Sequence, residues 1–381
     1  MRILVTHSSS TGHGHRMAAE ALVSALREHP GVEAESFDML SVCPPEVREA
    51  QKKSVQAFES REKLARWSYE LALAGNPVIG TVQWAINHYK AWMAPEALQY
   101  IKDYQPDLIV STHEQASGLV DIWKDSGELT APLVNVHTDH LADMRWVQPQ
   151  VQHYFVANEL MREDLARLGV EPEKVSVTGI PIRPEFGQPA PADLDQKLGL
   201  DPTLPTVLIM GGGLGLQPFN RQVEALERQP YPMQIVCVCG TNQAAYDELK
   251  ARQGGNHPLH VLGSVKNMPE LLKAADVVVS KAGGLTTSEI LATGKPMILY
   301  NPRLGLSVHQ SNRLESIGVA SIARSGDEMA GQVVGYLSDE TRKEQVAQAM
   351  ARASKPDSSR AIASELVQMA ARHQNTLNVS A

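Results

Sequence analysis

Asp276-Val277-Val278-Val279-Ser280-Lys281-Ala282-Gly283-Gly284-Leu285-Thr286-Thr287-Ser288-Glu289 passes from an apolar run through two glycines into a polar, helix-forming segment. Its short run of β-branched residues reads as a buried strand. Gly283 and Gly284 make a turn, and a helical pattern starts at once. A strand feeding directly into a helix is the repeating unit of a parallel α/β sheet. The first turn of such a helix leaves backbone N–H groups unpaired at the positive end of its dipole. The two glycines let a ligand come close to the backbone, and Thr286 and Thr287 offer hydroxyls. Glu289 lies one helical turn beyond Leu285 and Thr286, where a carboxylate can accept both hydroxyls of a ribose. This set suits a diphosphate. The plainer alternative is a tight turn capped by threonine.

The same logic repeats on either side. Strand runs at 206–210 (TVLIM), 234–239 (QIVCVC) and 296–300 (PMILY) each lead into a Gly-bearing turn and a helical pattern. Near the start, Ile3-Leu4-Val5 precedes a Gly-rich turn at 8–14 and a helix pattern through Ala18, Ala21, Leu22 and Leu26. Further strands are expected at 107–112, 132–137, 153–157 and 174–178, with a helix at 158–168. Residues 45–104 read as two or three amphipathic helices, interrupted near Gly75-Asn76-Pro77. Alternating strands and helices imply parallel sheets with right-handed crossovers. Pro181, Pro184, Pro189, Pro191, Pro202 and Pro205 mark a linker at 181–205. Two doubly wound α/β domains are therefore expected, residues 1–180 and 206–381, with the last helix able to pack back on the first.

Composition narrows the function. The chain has 381 residues, 43% of them hydrophobic and 20% charged, which excludes a disordered chain. No apolar run reaches the roughly 18–20 residues needed to span a bilayer. The N-terminus lacks a signal-peptide pattern, so a cytoplasmic protein is expected. Cys43, Cys237 and Cys239 make no disulfide framework. The net charge is −8, and all of it lies in residues 1–180, which hold 16 basic and 24 acidic side chains. A nucleic-acid partner would call for a basic excess, so none is expected. All five tryptophans also lie in that half. Nothing in the patterning specifies an oligomeric state.

Two more clusters carry chemistry. Gly211-Gly212-Gly213-Leu214-Gly215 follows strand 206–210 and faces the carboxyl edge, where open α/β sheets bind ligands. It lacks a useful GxGxxG register, and there is no GxxxxGK[ST] loop. Ser8-Ser9-Ser10-Thr11-Gly12-His13-Gly14-His15-Arg16 follows the first strand and opens a helix. A neutral His15 there can serve as a general base. Alternatively, His13 and His15 only cap and solvate the loop. Asp139, in His137-Thr138-Asp139-His140, ends another strand of the same domain. It can orient His15 or take the proton itself. The spacing of His7, His13, His15, His137, His140 and Asp139 matches no zinc pattern, so no metal is expected.

The run from Val261 to Pro302 (VLGSVKNMPELLKAADVVVSKAGGLTTSEILATGKPMILYNP) resembles the donor-site half of the GT-B glycosyltransferases that make glycolipids. The monogalactosyldiacylglycerol synthases and processive diacylglycerol glucosyltransferases are the nearest in pattern. The stretch THSSSTGHGHRMAAEAL at 6–22 resembles their acceptor loop, and 136–156 (VHTDHLADMRWVQPQVQHYFV) their middle motif. The enzyme that adds N-acetylglucosamine to lipid I is a more distant relation. These motifs reach to about residue 320, in the family's order.

The resemblance implies two Rossmann-like domains facing across a cleft, and inverting, metal-independent transfer of a hexose from a UDP-sugar to diacylglycerol, with no cofactor. By position, Glu289 would hold the ribose, while Gly283, Gly284, Leu285 and Thr286 would cradle the diphosphate. Lys281, Gly211, Gly212 and Gly213 join that donor set, and Gly263 to Val265 would border the base. His15 aligns with the proposed catalytic histidine and Asp139 with the acidic residue of the middle motif, with Gly12 and Gly14 beside the acceptor. Leu306 and Ser307 stand where the family has a Gln-Glu pair, so His309 and Gln310 would meet the sugar instead. Ala282 replaces a common proline. Residues 45–104 occupy the place where these enzymes reach the lipid, with Trp67, Tyr69, Trp84, Tyr89, Trp92 and Met93 as an interfacial set. The alternative is that these rings pack helices onto the sheet. Residues 46–70 hold six basic and five acidic side chains, no polybasic patch, so peripheral membrane binding led by apolar contact is expected. Alternatives of the same fold are a UDP-sugar 2-epimerase and a nucleotide-sugar-binding protein without turnover.

Overall fold

The computed structural model describes residues 1–8, 14–46, 48–49, 53, 57, 61–252, 254–302 and 305–380. The chain divides into two compact units. The first comprises Met1–Arg183, Leu304–Leu306 and Asp357–Ala381; the second comprises Pro184–Arg303 and Ser307–Pro356.

The first unit is built on six parallel strands: β1 (Arg2–His7), β2 (Glu33–Asp38), β3 (Leu108–Ser111), β4 (Leu133–Val136), β5 (Val151–Val156) and β6 (Val175–Val177). Their order is β2-β1-β3-β4-β5-β6, so the direction of winding switches between β1 and β3. Ile3, Leu4 and Val5 are all buried, as expected where helices cover both faces. The Gly14–Arg27 helix contributes Ala19, Leu22, Val23 and Leu26 to one core. The same core takes in Ile362, Ala363, Leu366 and Ala370 from the terminal Ser358–Ser380 helix. That helix is pinned by Ser358 Oγ to the Ile180 carbonyl at 2.7 Å and Ser359 Oγ to the Ile182 carbonyl at 2.6 Å. Arg360 adds a fork onto Glu28.

The stretch 45–104 is helical where described beyond residue 60: Glu62–Leu73, Pro77–Trp92 and Pro95–Tyr104. The break between the first two comes from Gly75 at φ +69° and from Asn76, whose side chain accepts from the Val78 N–H at 3.0 Å.

The second unit repeats the plan with β7 (Thr206–Met210), β8 (Gln234–Val238), β9 (Leu259–Leu262), β10 (Val277–Ser280), β11 (Met297–Tyr300) and β12 (Ala320–Ala323). All pairings are parallel and the order is β12-β11-β10-β7-β8-β9, the doubly wound dinucleotide-type order. Here the winding switches between β7 and β10. Asp276 accepts the Thr206 N–H at 2.7 Å and so ties the starts of these two strands together.

Candidate active site

In doubly wound sheets, ligands bind beyond the carboxyl ends of the strands at the switch point. In the second unit that edge is nearly bare backbone. Gly211 follows β7, Gly240 lies just past β8, Gly263 follows β9, and Gly283 comes shortly after β10. Gly212 and Gly215 sit at φ +70° and +62°, which only glycine adopts at little cost. The loop closes on itself through Gly215 N–H to the Gly212 carbonyl at 3.0 Å and Leu216 N–H to the Gly211 carbonyl at 3.0 Å. A Cβ on Gly240 would lie 2.7 Å from the Gly212 carbonyl and would also run into that of Gly213. Gly263 faces only the Gly240 carbonyl, with a Cβ-equivalent distance of 3.8 Å. Lys281 lays its stem over Gly212, since a Cβ there would be 3.1 Å from Lys281 Cε. The structure thus brings Gly211, Gly212, Gly213, Gly263 and Lys281 to one edge. Gly240 belongs with them, although sequence reasoning passed over it.

The Gly284–Thr293 helix starts at this edge. Gly283 is its N-cap and no side chain caps it. Among the described residues, a Cβ on Gly283 would meet no atom within 4 Å, so the turn is open on that side. Leu285 and Thr286 are half-buried in the first turn, and Glu289 is half-buried one turn on. Thr287 needs correcting as a ligand donor. It is fully buried, and its hydroxyl sits 2.9 and 3.0 Å from the Gly283 and Gly284 carbonyls. This back-bonding is the usual fate of a threonine inside a helix. Ser280, at the end of β10, has a buried hydroxyl with no hydrogen-bond partner among the described residues. Val265 is half-buried beyond β9. His309 and Gln310 lie on the Gly305–Ser316 helix after β11, the first half-buried and the second buried.

The first unit's switch point is crowded with side chains instead. Gly12 and His13 lie outside the described residues; Gly14 opens the helix and His15 sits in its first turn. Nδ1 of His15 is 2.8 Å from the Thr112 carbonyl and 2.8 Å from Thr138 Oγ1. A carbonyl can only accept, so Nδ1 carries the proton and Nε2 keeps the lone pair. This tautomer is assigned from the partners. Thr112 also donates its hydroxyl to the His15 carbonyl at 3.1 Å, and its N–H to the Thr6 carbonyl at 3.0 Å. The segments leaving β3 and β4 therefore hold the ring from two sides, and Thr112 is itself tied to β1. Asp139, next to Thr138, is half-buried, but the Nδ1 bonds go to the two threonines.

A second layer of charge lies behind this ring. His113 packs against His15 with centroids 4.3 Å apart. Its Nδ1 accepts from the Gln115 N–H at 3.0 Å, capping the Glu114–Asp125 helix, and burial pushes its imidazole down to about 3. Burial pushes the Glu114 carboxyl up, but positive charge around it outweighs this and holds it low, and with His113 neutral the standing cation among these is Arg145. Arg145 forks onto Asp143 and lies 4.5 Å over the Tyr69 ring. His137 stacks on Trp146 at 4.2 Å. Both its nitrogens lack partners among the described residues, and burial pushes it down to about 3. Among the described residues, no group of three or more His, Cys, Asp or Glu could hold a metal ion.

The Pro77–Trp92 helix packs its inner face on this layer. A Cβ on Gly118 would lie 2.6 Å from Asn87 Cγ, and Lys90 Nζ donates to Gln115 Oε1 at 2.9 Å. Its outer face is apolar: Val78, Val82, Trp84, Ile86, Tyr89 and Trp92 are exposed, Trp84 by 59% and Trp92 by 73%. Trp67 is exposed on the preceding helix as well. Packing against the sheet therefore does not account for these rings. Tyr69 instead belongs to the Arg145 site, and Met93 is half-buried. Among the described residues, no helix is long and apolar enough to cross a membrane.

Comparisons with known proteins agree with this layout. The family model described as monogalactosyldiacylglycerol (MGDG) synthase matches residues 15–182, and the glycosyltransferase family 28 C-terminal domain matches 206–366. A processive diacylglycerol beta-glucosyltransferase of Bacillus subtilis (strain 168) is 34% identical, over 64% of this chain and 63% of its own length. That of Bacillus pumilus (strain SAFR-032) is 32% identical, over 71% of this chain and 70% of its own. The chain thus spans about two thirds of the curated relatives it matches. Among solved structures, the Acinetobacter baumannii MurG fold superposes with a TM-score of 0.63 at 18% identity, covering 96% of this chain and 99% of that one. The likeness shows the GT-B fold.

Proposed function

This chain belongs to the family of processive diacylglycerol glucosyltransferases and monogalactosyldiacylglycerol synthases, and from that premise we propose that it transfers a hexose from a UDP-sugar to the hydroxyl of diacylglycerol. The observation that carries the reading is the Gly283 turn at the start of the Gly284–Thr293 helix, open on its Cβ side and set in an edge of glycine backbone. Such an edge suits a diphosphate, whose negative charge grows as it leaves. In this reading Lys281, Gly283, Gly284, Leu285 and Thr286 hold the diphosphate and Glu289 the ribose. Gly211, Gly212, Gly213, Gly263 and Val265 line the nucleotide's side, and His309 and Gln310 meet the sugar.

Nε2 of His15 takes the acceptor's hydroxyl proton as that oxygen attacks the anomeric carbon. The bond from that carbon to the diphosphate oxygen breaks on the opposite face, so the configuration inverts. Asp139 is the second candidate for the proton. Gly12 and Gly14 border the acceptor, and the exposed face carrying Trp84 and Trp92 rests on the lipid surface as a peripheral contact. That face is apolar, so the contact does not depend on anionic lipid.

The test is incubation with UDP-glucose or UDP-galactose and diacylglycerol vesicles, with and without EDTA, followed by mass spectrometry. A hexosyl-diacylglycerol that forms equally in chelator is expected. Consumption of the UDP-sugar without a lipid product would refute the reading. Conversion of UDP-N-acetylglucosamine in the absence of acceptor would replace it with epimerisation.

A further inference from the structure

His15 has an unusual set of supports for a base. Its Nδ1–H is held by a backbone carbonyl and a threonine hydroxyl, both neutral. When Nε2 gains a proton the ring becomes a cation, and neither of these partners offsets the charge. A carboxylate lies one ring away. His113 packs against His15 with ring centroids 4.3 Å apart and planes tilted by 56°, and Glu114 Oε2 is 3.3 Å from His113 Nδ1. That 3.3 Å contact is no ion pair, because His113 Nδ1 accepts the Gln115 N–H and its ring is neutral.

We propose that Glu114 is a positioning residue acting through His15: its fixed negative charge stabilises the imidazolium that forms when His15 takes the acceptor's proton. The proposal rests on His15 being the base. Among the described residues, the other charged groups around the cluster are as follows. Arg145, which faces Glu114, is forked onto Asp143. Lys90 donates to Gln115, and burial pushes its ammonium down. His7, at the end of β1, is pushed down by burial against the pull of Asp38, and Arg16 projects from His15's own helix into an exposed pair with Glu20. Asp139 stands on the loop after β4, beside Thr138. Glu114 itself is favoured as an anion by its place in the first turn of the Glu114–Asp125 helix. A half-buried carboxylate beside an arginine costs desolvation, so stability alone is a weak reason for one here.

The experiment compares kcat against pH for wild type, Glu114→Gln, Glu114→Asp, Asp139→Asn and His15→Ala, using UDP-glucose and diacylglycerol in detergent micelles. Losing the anion makes the imidazolium give up its proton more readily. The acid limb of Glu114→Gln should therefore move to lower pH by about half to one unit, and its plateau should fall about 3- to 10-fold. KM for UDP-glucose should hold, and Glu114→Asp should restore the limb. A limb that stays in place in a folded Glu114→Gln enzyme, or that moves only in Asp139→Asn, would overturn the role. Near-normal turnover in His15→Ala is a separate result, which removes the base and the role with it.

Discussion

The two switch points of this molecule answer one topological problem in opposite ways. Between β1 and β3 the edge is filled with side chains that lock each other in place: Thr6, Thr112, Thr138, His15 and His113. Between β7 and β10 side chains are withdrawn and four neighbouring strands leave the sheet through glycines. In the proposed reading the difference follows from what each edge has to do. A proton acceptor is one nitrogen whose orientation must be held, and packed neighbours do that. A diphosphate needs several N–H groups at once, and a Cβ would keep it away from them.

The largest effect expected from this contrast is on the first edge. His15→Ala should cut turnover roughly 10²–10⁴-fold, the usual worth of a positioned base, while calorimetric UDP affinity stays constant. A matching loss of UDP affinity would break the division of labour.

The second edge should respond in its fold. Gly240→Ala drives a Cβ into the Gly212 and Gly213 carbonyls at φ +58° and should destabilise the chain by about 2–4 kcal/mol in denaturant titration. Gly283→Ala meets nothing, so the fold should survive while UDP binds more weakly. Equal unfolding midpoints for the two variants would contradict the close packing around Gly240.

Acid should separate the edges next. His113 and His137 are held near 3 in the fold, against about 6.5 when unfolded. The unfolded chain binds more protons in that window, so stability is intact above about pH 6.5 and falls as pH drops toward 3. The loss should reach about 2–3 kcal/mol per histidine by pH 4.5. His137→Phe keeps the Trp146 stack and should flatten the fall of Tm with acid; parallel curves for variant and wild type would count against it.

The smallest effect is expected at Glu289. Its replacement by alanine should weaken UDP by about 1–3 kcal/mol, the scale of hydrogen bonds to a charged group. Unchanged affinity in calorimetry would free Glu289 from the ribose.

How far the molecule could be read in its sequence depended on burial. Central strands such as β7 and β10 are apolar on both faces and stand out as unbroken runs. The strands that pattern reading passed over are β2, β9 and β12, and each is an edge strand. β2, with Glu33, Glu35 and Ser36, leaves side chains in solvent and so shows no apolar run. The site divides the same way. The Gly283 turn is local, so spacing reveals it. The hold on His15 joins residues about a hundred positions apart, and no local pattern contains Thr112 or Thr138. Glu114 and Gly240 were missed for that reason too. Thr287 misled because hydroxyl chemistry is visible in a sequence and back-bonding is not.

The serine-pinned terminal helix has a consequence for how the chain is made. Ala19, Leu22 and Leu26 leave the ribosome more than three hundred residues ahead of the side chains that cover them, Ile362 and Leu366. At elongation rates of about 5–20 residues per second that interval is roughly 17–70 s. Throughout it the nascent first unit carries an uncovered greasy stripe while the intervening polypeptide is still being threaded. The stripe is a natural foothold for a holding chaperone, and any early stop codon before residue 358 would leave it permanently open.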